Sequence, residues 1–282
     1  KNWPFSNETS KKTRNNIVNR AIKNSDRYKK LKKQGWSEED IKKNFNLIQP
    51  IKVFDWNTKS KLKERQISPL DSILYYKSIL RVGLISIDPH TGFIKAWVGG
   101  INYRQFKFDC SSKSKRQVGS TIKPFVYAAA IESGKISPCT TFPDIKYCID
   151  IPFGALTKQW CPGGQKAYTG DQIPVYFALA NSQNNITAQV IKETGSKNTR
   201  VVSYFKSMGL WNKSIVEVSS LGLGVCDLSV LNQTAAHCVF SNNGLFVEPI
   251  SIVRIEDKYG NLIWEPKQEV KQIMDPITAF NV

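Results

Sequence analysis

The sequence predicts an α+β fold, with two hairpins and a buried helix between them in the chain. Three stretches carry this prediction. Val82–Ile87 and Phe93–Val98 read as strands joined by Asp88-Pro89-His90-Thr91-Gly92 and closed by Gly99-Gly100. Ile250–Glu256 and Leu262–Trp264 alternate around Lys258-Tyr259-Gly260-Asn261, a second hairpin. Between them, the apolar, alanine-rich run Phe125-Val126-Tyr127-Ala128-Ala129-Ala130-Ile131 reads as a buried helix.

In chain order, residues 1–48 are polar, basic and helical in rhythm. Ser37-Glu38-Glu39-Asp40 opens a short helix with a serine cap and an acidic first turn, running through Ile41 and Phe45. So few apolar residues suggest helical hairpins that lean on something else. Residues 49–66 read as a linker with one apolar patch, Ile51-Lys52-Val53-Phe54. Ser68-Pro69-Leu70-Asp71 starts a helix that should bury Ile73, Leu74, Tyr76, Ile79 and Leu80. After the central helix, residues 135–173 form a long excursion containing Pro, Gly and Cys. Helices are then expected over Pro174–Ala180, Ile186–Glu193, about 198–208, and 227–240 with Asp227 as cap. No internal repeat is present. Two domains are expected, 1–65 and 66–282.

The formal charge is +17, and residues 1–66 alone hold 18 Lys/Arg against 7 Asp/Glu. No zinc-finger spacing, aromatic nucleic-acid motif or basic zipper accompanies this excess, so a nucleic-acid partner is not expected. A solvated or membrane-proximal basic segment is the better reading. No run of 18 uncharged apolar residues spans a membrane, and no signal peptide stands at Lys1. The six cysteines contain no C-x-x-C, and His90 and His237 are isolated, so neither a metal site nor a cofactor is expected. Cys139, Cys148 and Cys161 share the long excursion, where a disulfide can form outside the cytoplasm. Cys226 and Cys238 read as buried thiols. His90, alone in a turn, is not expected to be catalytic.

One stretch organises the chemistry: Arg116-Gln117-Val118-Gly119-Ser120-Thr121-Ile122-Lys123-Pro124-Phe125. Gly119 reads as a turn, and Pro124, tolerable only in a first turn, pins the helix start here. Ser120 then stands at or just before the first turn, with Lys123 three residues on and on the same face. A serine hydroxyl is a poor nucleophile until a neighbour takes its proton, and a lysine whose pKa is lowered by burial can do so. The helix start would stabilise negative charge developing beside the serine. Ser-x-x-Lys also occurs at Ser60…Lys63 and Ser112…Lys115, in polar stretches with no buried helix behind them. Ser-x-Asn occurs at Ser182…Asn184, Ser196…Asn198 and Ser241…Asn243, and only the first sits at a break between expected helices after the nucleophile.

Together these blocks resemble the transpeptidase domain of class A penicillin-binding proteins. The resemblance is carried by Gly83–Gly100, Lys115–Tyr127, Ala178–Asn185, Ser220–Gly224, Phe240–Pro249 and Arg254–Trp264, in the family's order, and covers about residues 66–282. It implies a penicillin-binding/β-lactamase-like fold: an antiparallel sheet with helices on both faces. It implies Ser120 as acylated nucleophile and Lys123 as general base or proton relay. Ser182 would shuttle a proton to the leaving amine, and Asn184 would orient Lys123 and the substrate amide. The reaction implied is peptidoglycan D,D-transpeptidation in cell-wall synthesis, with stem peptides as substrates and β-lactam antibiotics as acylating inhibitors. The setting implied is the periplasmic face of the bacterial inner membrane, anchored through a longer parent. Residues 1–65 would be the basic helical tail of a preceding glycosyltransferase domain with its linker; they hold no glycosyltransferase motif.

The family's third motif, Lys-Thr/Ser-Gly, is absent from the sequence. The chain is therefore expected to end before the C-terminal strands and to acylate weakly or not at all. Two alternatives stay open. One is a β-lactam sensor or β-lactamase-like serine hydrolase, although the excursion offers Asp144 and Asp150 but no E-x-x-x-N. The other is a catalytically silent scaffold of the same fold, in which Ser120 is only a helix cap.

Overall fold

The structure, a computed structural model, describes residues 5–7, 9–153, 156–163, 167–195 and 197–282. Its chain divides into two compact units, residues 1–81 and 82–282.

The first unit contains helices α1 (Lys11–Asn24), α2 (Asp26–Lys33) and α3 (Glu38–Asn46). The hairpin β1 (Gln49–Phe54)–β2 (Leu62–Ile67) and helix α4 (Pro69–Ser78) complete it. Ser10, Ser25, Ser37 and Ser68 each cap a helix by accepting from the backbone N–H three residues on, which satisfies a donor the helix leaves free. Ile41 and Phe45 are buried. The linker expected over 49–66 is instead a paired hairpin, because Val53 and Phe54 are buried. Helix α4 is tied to it: Tyr75 Oη donates to Phe54 O at 2.6 Å, and Phe54 N donates to Tyr76 Oη at 3.1 Å. These bonds take α4 into the first unit, so the chain divides after Arg81 and not after residue 65. The stripe expected on α4 is only half-buried, and Leu80 is 88% exposed.

The second unit opens with the expected hairpin, β3 (Leu84–Ile87) against β4 (Ile94–Val98), antiparallel with a register shift near Ile87. Strand β5 (Arg116–Gln117) leads through a 3-10 turn, Gly119–Ile122, into α5 (Lys123–Glu132). The excursion folds as β6 (Thr141–Pro143), β7 (Ile149–Phe153), β8 (Leu156–Trp160) and β9 (Gln172–Pro174), with β6 paired to β9 and β7 to β8. Helices α6 (Val175–Ala180), α7 (Asn184–Glu193) and α8 (Thr199–Ser207) follow. Then come β10 (Asp227–Leu228), α9 (Val230–Ser241), β11 (Leu245–Val247), β12 (Ile255–Glu256), β13 (Leu262–Trp264), β14 (Val270–Gln272) and α10 (Pro276–Asn281).

The cap of α9 is Ser229, which accepts from Asn232 N, and not Asp227. Asp227 pairs with Gln117 in the β5–β10 ladder and is unavailable for a helix. Among the described residues the named strands pair in antiparallel, two-stranded ladders, and one isolated parallel bridge joins Phe93 to Ile250.

Helix α5 is the centre of this unit. Phe125, Tyr127, Ala128 and Ala130 are 0% exposed. The Phe125 ring lies 5.0 Å from both Phe205 and Phe240 and edge-on to His237 at 5.1 Å. The alanines let α7 and α8 approach closely. At the C-terminal end, Glu132 accepts from Arg200 Nε (2.7 Å), Tyr204 Oη (2.6 Å) and Asp275 N (3.2 Å), joining α8 and the start of α10 to α5. No described helix is long and apolar enough to cross a membrane.

Cys148 and Cys161 form a disulfide across the base of β7–β8, while Cys139 is exposed and Cys226 buried. Cys238, expected buried, is half-exposed. Closing a loop of 13 residues removes unfolded-chain entropy. Cys148→Ser should therefore lower stability by about 2–3 kcal/mol, read in denaturant titrations, with dithiothreitol doing the same to the parent.

Candidate active site

Lys123 is 1% exposed, a charged side chain almost wholly withdrawn from water. Such burial requires full hydrogen bonding. Its Nζ donates to Ser182 O at 2.6 Å, Ser182 Oγ at 3.0 Å and Asn184 Oδ1 at 2.7 Å, three acceptors for three protons. Burial lowers its pKa to about 8, so the amine is mostly charged at neutrality with a minor neutral fraction of about a tenth. The expected grouping of Lys123, Ser182 and Asn184 is thus present in one place.

The acceptors are presented by a helix ending. Asn181 caps α6, Ser182 N donates to Leu179 O, and Gln183 N donates to Ala178 O. This paired closure places Ser182 in the left-handed region at φ 54°, a position usually held by glycine. The non-glycine strain is tolerated because the turn presents both the carbonyl and hydroxyl of Ser182 to one ammonium. Asn184 is the first residue of α7, which therefore begins two residues earlier than expected. Its Nδ2 donates to Gly163 O at 2.9 Å, which leaves Oδ1 for Lys123.

Ser120 is exposed in the 3-10 turn one step before α5, so it precedes the α-helix proper. Among the described residues its hydroxyl has no hydrogen-bond partner, and Lys123 spends its three protons elsewhere. The neighbouring Thr121 is fixed from α9: Gln233 Nε2 donates to its backbone O at 3.2 Å and its Oγ1 at 2.9 Å. Behind the turn, Gly119 (φ 57°) and Gly224 (φ 80°) stand against one another, with Gly119 N donating to Gly224 O at 3.2 Å. A Cβ at Gly224 would run into the Gly119 carbonyl, so only glycine fits.

Sequence reading missed Gln233, which carries no local signal, and the closing role of Gly224, whose signal was its place in Ser220-Leu221-Gly222-Leu223-Gly224. Of the other Ser-x-x-Lys and Ser-x-Asn pairs, none is drawn into this cluster; Ser196 lies outside the described residues. His90 instead bonds Asn242 Oδ1 through Nδ1 at 2.8 Å. No group of three or more potential metal ligands occurs among the described residues.

Short antiparallel ladders and helices packed around one buried helix make the fold of penicillin-binding transpeptidase domains. Residues 82–282 match the penicillin-binding protein transpeptidase domain model, and residues 1–80 match the penicillin-binding protein middle domain model. The chain belongs to the penicillin-binding protein transpeptidase family. It is 33% identical to penicillin-binding protein 1A of Vibrio cholerae over 65% of this chain and 22% of the relative. Against penicillin-binding protein 2D of Bacillus subtilis it is 31% identical, over 72% of this chain and 29% of the relative. The structure resembles that of Haemophilus influenzae penicillin-binding protein 1A with a TM-score of 0.63 at 25% identity, covering 71% of this chain and 34% of that one. A Mycobacterium penicillin-binding protein 3 complexed with aztreonam shares the fold, with a TM-score of 0.56 at 19% identity and coverage of 71% and 50%. The chain spans between a fifth and a third of these curated relatives' lengths.

Two measurements check the geometry. Gly224→Ala should destabilise by at least about 2 kcal/mol, read in urea unfolding, because both backbone strain and a clash oppose it. Lys123→Met tests the buried ammonium. The folded pKa lies below the unfolded value, so between about 8 and 10.5 the unfolded chain binds more protons and parental stability rises with pH. Below pH 8 both states are charged and the burial cost is constant. The stability of the parent relative to Lys123→Met should therefore improve by roughly 2–3 kcal/mol from pH 8 to 10.5.

Proposed function

We propose that this chain carries the acyl-transfer site of a peptidoglycan D,D-transpeptidase, with Ser120 as nucleophile and Lys123 as its base. The observation that carries the reading is the buried Lys123 amine held by Ser182 and Asn184 from 59 and 61 positions away. A lysine with its pKa lowered to about 8 can accept the proton that Ser120 Oγ loses on attacking a D-Ala-D-Ala carbonyl. The Ser120 N–H, near the start of the 3-10 turn, would donate to the tetrahedral oxyanion. As the C–N bond breaks, the proton passes through Ser182 Oγ to the departing amine of D-Ala. An acceptor amine then attacks the Ser120 ester and forms the cross-link, returning the hydroxyl. With a β-lactam the broken amide stays tethered in the opened ring, so the ester persists.

The stem peptides, the β-lactams and the periplasmic setting belong to this proposal. The Cys148–Cys161 bridge supports a compartment outside the reducing cytoplasm. The +11 balance of residues 1–66 supports a position near an anionic membrane surface in a longer protein. We read the first unit as the basic module preceding the catalytic domain.

Intact mass after prolonged incubation with excess penicillin, beside Ser120→Ala, tests the reading. Acylation should be slow, because no Lys-Thr/Ser-Gly is present to anchor the substrate carboxylate. A single adduct that persists on the parent and is missing from the variant is the expected result. An adduct that clears within minutes would favour a hydrolase, and equal labelling of both proteins would remove Ser120 from its role.

A further inference from the structure

Asp144 is 3% exposed, and its carboxylate is fully engaged inside the unit. Oδ1 accepts from Asn185 Nδ2 at 2.7 Å. Oδ2 accepts from Thr169 N at 3.0 Å and Thr169 Oγ1 at 3.2 Å. Its backbone joins in, Asp144 N donating to Asp171 O at 2.8 Å and Gly170 N donating to Asp144 O at 3.0 Å. Both ends of the excursion are thus fastened at one carboxylate, just beyond the β6–β9 ladder.

Asn185 is 2% exposed and follows Asn184 in the first turn of α7. The two side chains part: Asn184 goes to Lys123 and Gly163, Asn185 to Asp144 and, at 3.1 Å, to Ile145 O. One helical turn later, Gln189 Nε2 donates to Pro143 O at 3.0 Å, on the face that Asn185 occupies. The rotation of α7 about its axis is therefore set by its bonds to the Pro143–Ile145 segment. That rotation sets the direction from which the Asn184 side chain, held at Nδ2 by Gly163 O, reaches Lys123.

We propose that Asp144, acting through Asn185 and Thr169, is a positioning residue that holds Asn184 on the Lys123 amine. This deepens the reading of Lys123 as the base and rests on it. A carboxylate suits the task because it can accept at both oxygens with charge-assisted strength, where an amide would turn a donor toward Thr169 N. Nothing in the proposal requires Asp144 to touch substrate.

The test reads the protonation of Lys123 rather than acylation, so its failure is separable from failure of the nucleophile assignment. Protein labelled with 13C at lysine Cε is titrated by NMR, and the Lys123 resonance is assigned by its loss in Lys123→Met. Asn184 Oδ1 stabilises the ammonium, so loosening it should favour the neutral amine. In Asp144→Ala and Asn185→Ala the midpoint should move to lower pH, by up to roughly tenfold in proton affinity. Thr169→Val, a milder change for the case in which Asp144→Ala does not fold, should move it less and in the same direction. Glu132→Gln loosens the far end of α5 and controls for general destabilisation; it should lower the melting temperature and leave the midpoint in place. An unchanged midpoint in the folded Asp144, Asn185 and Thr169 variants overturns the proposal. So does a midpoint that rises, or an equal shift in Glu132→Gln.

Discussion

The second unit depends on one constraint: an ammonium group has been taken out of water and must have every proton accepted. Stripping a cation of its hydration is expensive, and the cost is bearable only if protein oxygens replace the lost water. Lys123 meets three such oxygens, all from the break between α6 and α7. That requirement links the start of α5 to residues some sixty positions on and explains why a serine adopts a backbone conformation normally left to glycine. The same burial lowers the pKa of the amine to about 8.

Rigidity around the site is built from two sides. Apolar packing surrounds α5, with Phe125 among Phe205, Phe240 and His237 and the alanines against α7 and α8. Polar clamps hold the pieces that packing cannot. Glu132 gathers three donors at the C-terminal end, Gln233 fastens Thr121 beside the serine, and Gly119 and Gly224 interlock behind it. The excursion, which carries the disulfide, contributes the Gly163 carbonyl that fixes the orientation of Asn184. Ser120 is exposed in the turn before α5, while the Lys123 amine in the first turn of that helix is buried.

The first unit follows other physics. Its core residues Ile41, Phe45, Val53 and Phe54 are few, and serine caps and tyrosine hydroxyls supplement them. Most of the excess positive charge is here, on helices α1 and α2 whose residues are largely exposed. The penicillin-binding protein middle domain match over residues 1–80 agrees with the division observed after Arg81.

By itself the sequence determined the α+β class, the first hairpin, the serine turn before a buried helix, and the polar break that carries Ser182 and Asn184. Each has a short-range signature: alternation with turn residues, Pro124 after the serine, an apolar run, a polar break between helices. Where those signatures were misleading, a distant partner decided. Residues 49–66 look like a linker until α4 supplies tyrosine hydroxyls to Phe54, and Asp227 looks like a cap until Gln117 pairs with it. The partnership of Cys148 with Cys161, the left-handed Ser182, the glycine contact behind Ser120 and the burial of Asp144 were decided only in three dimensions. The reason is physical: hydrogen-bond satisfaction and steric fit are properties of pairs brought together by the fold, and neither is written in the spacing of residues along one strand or helix.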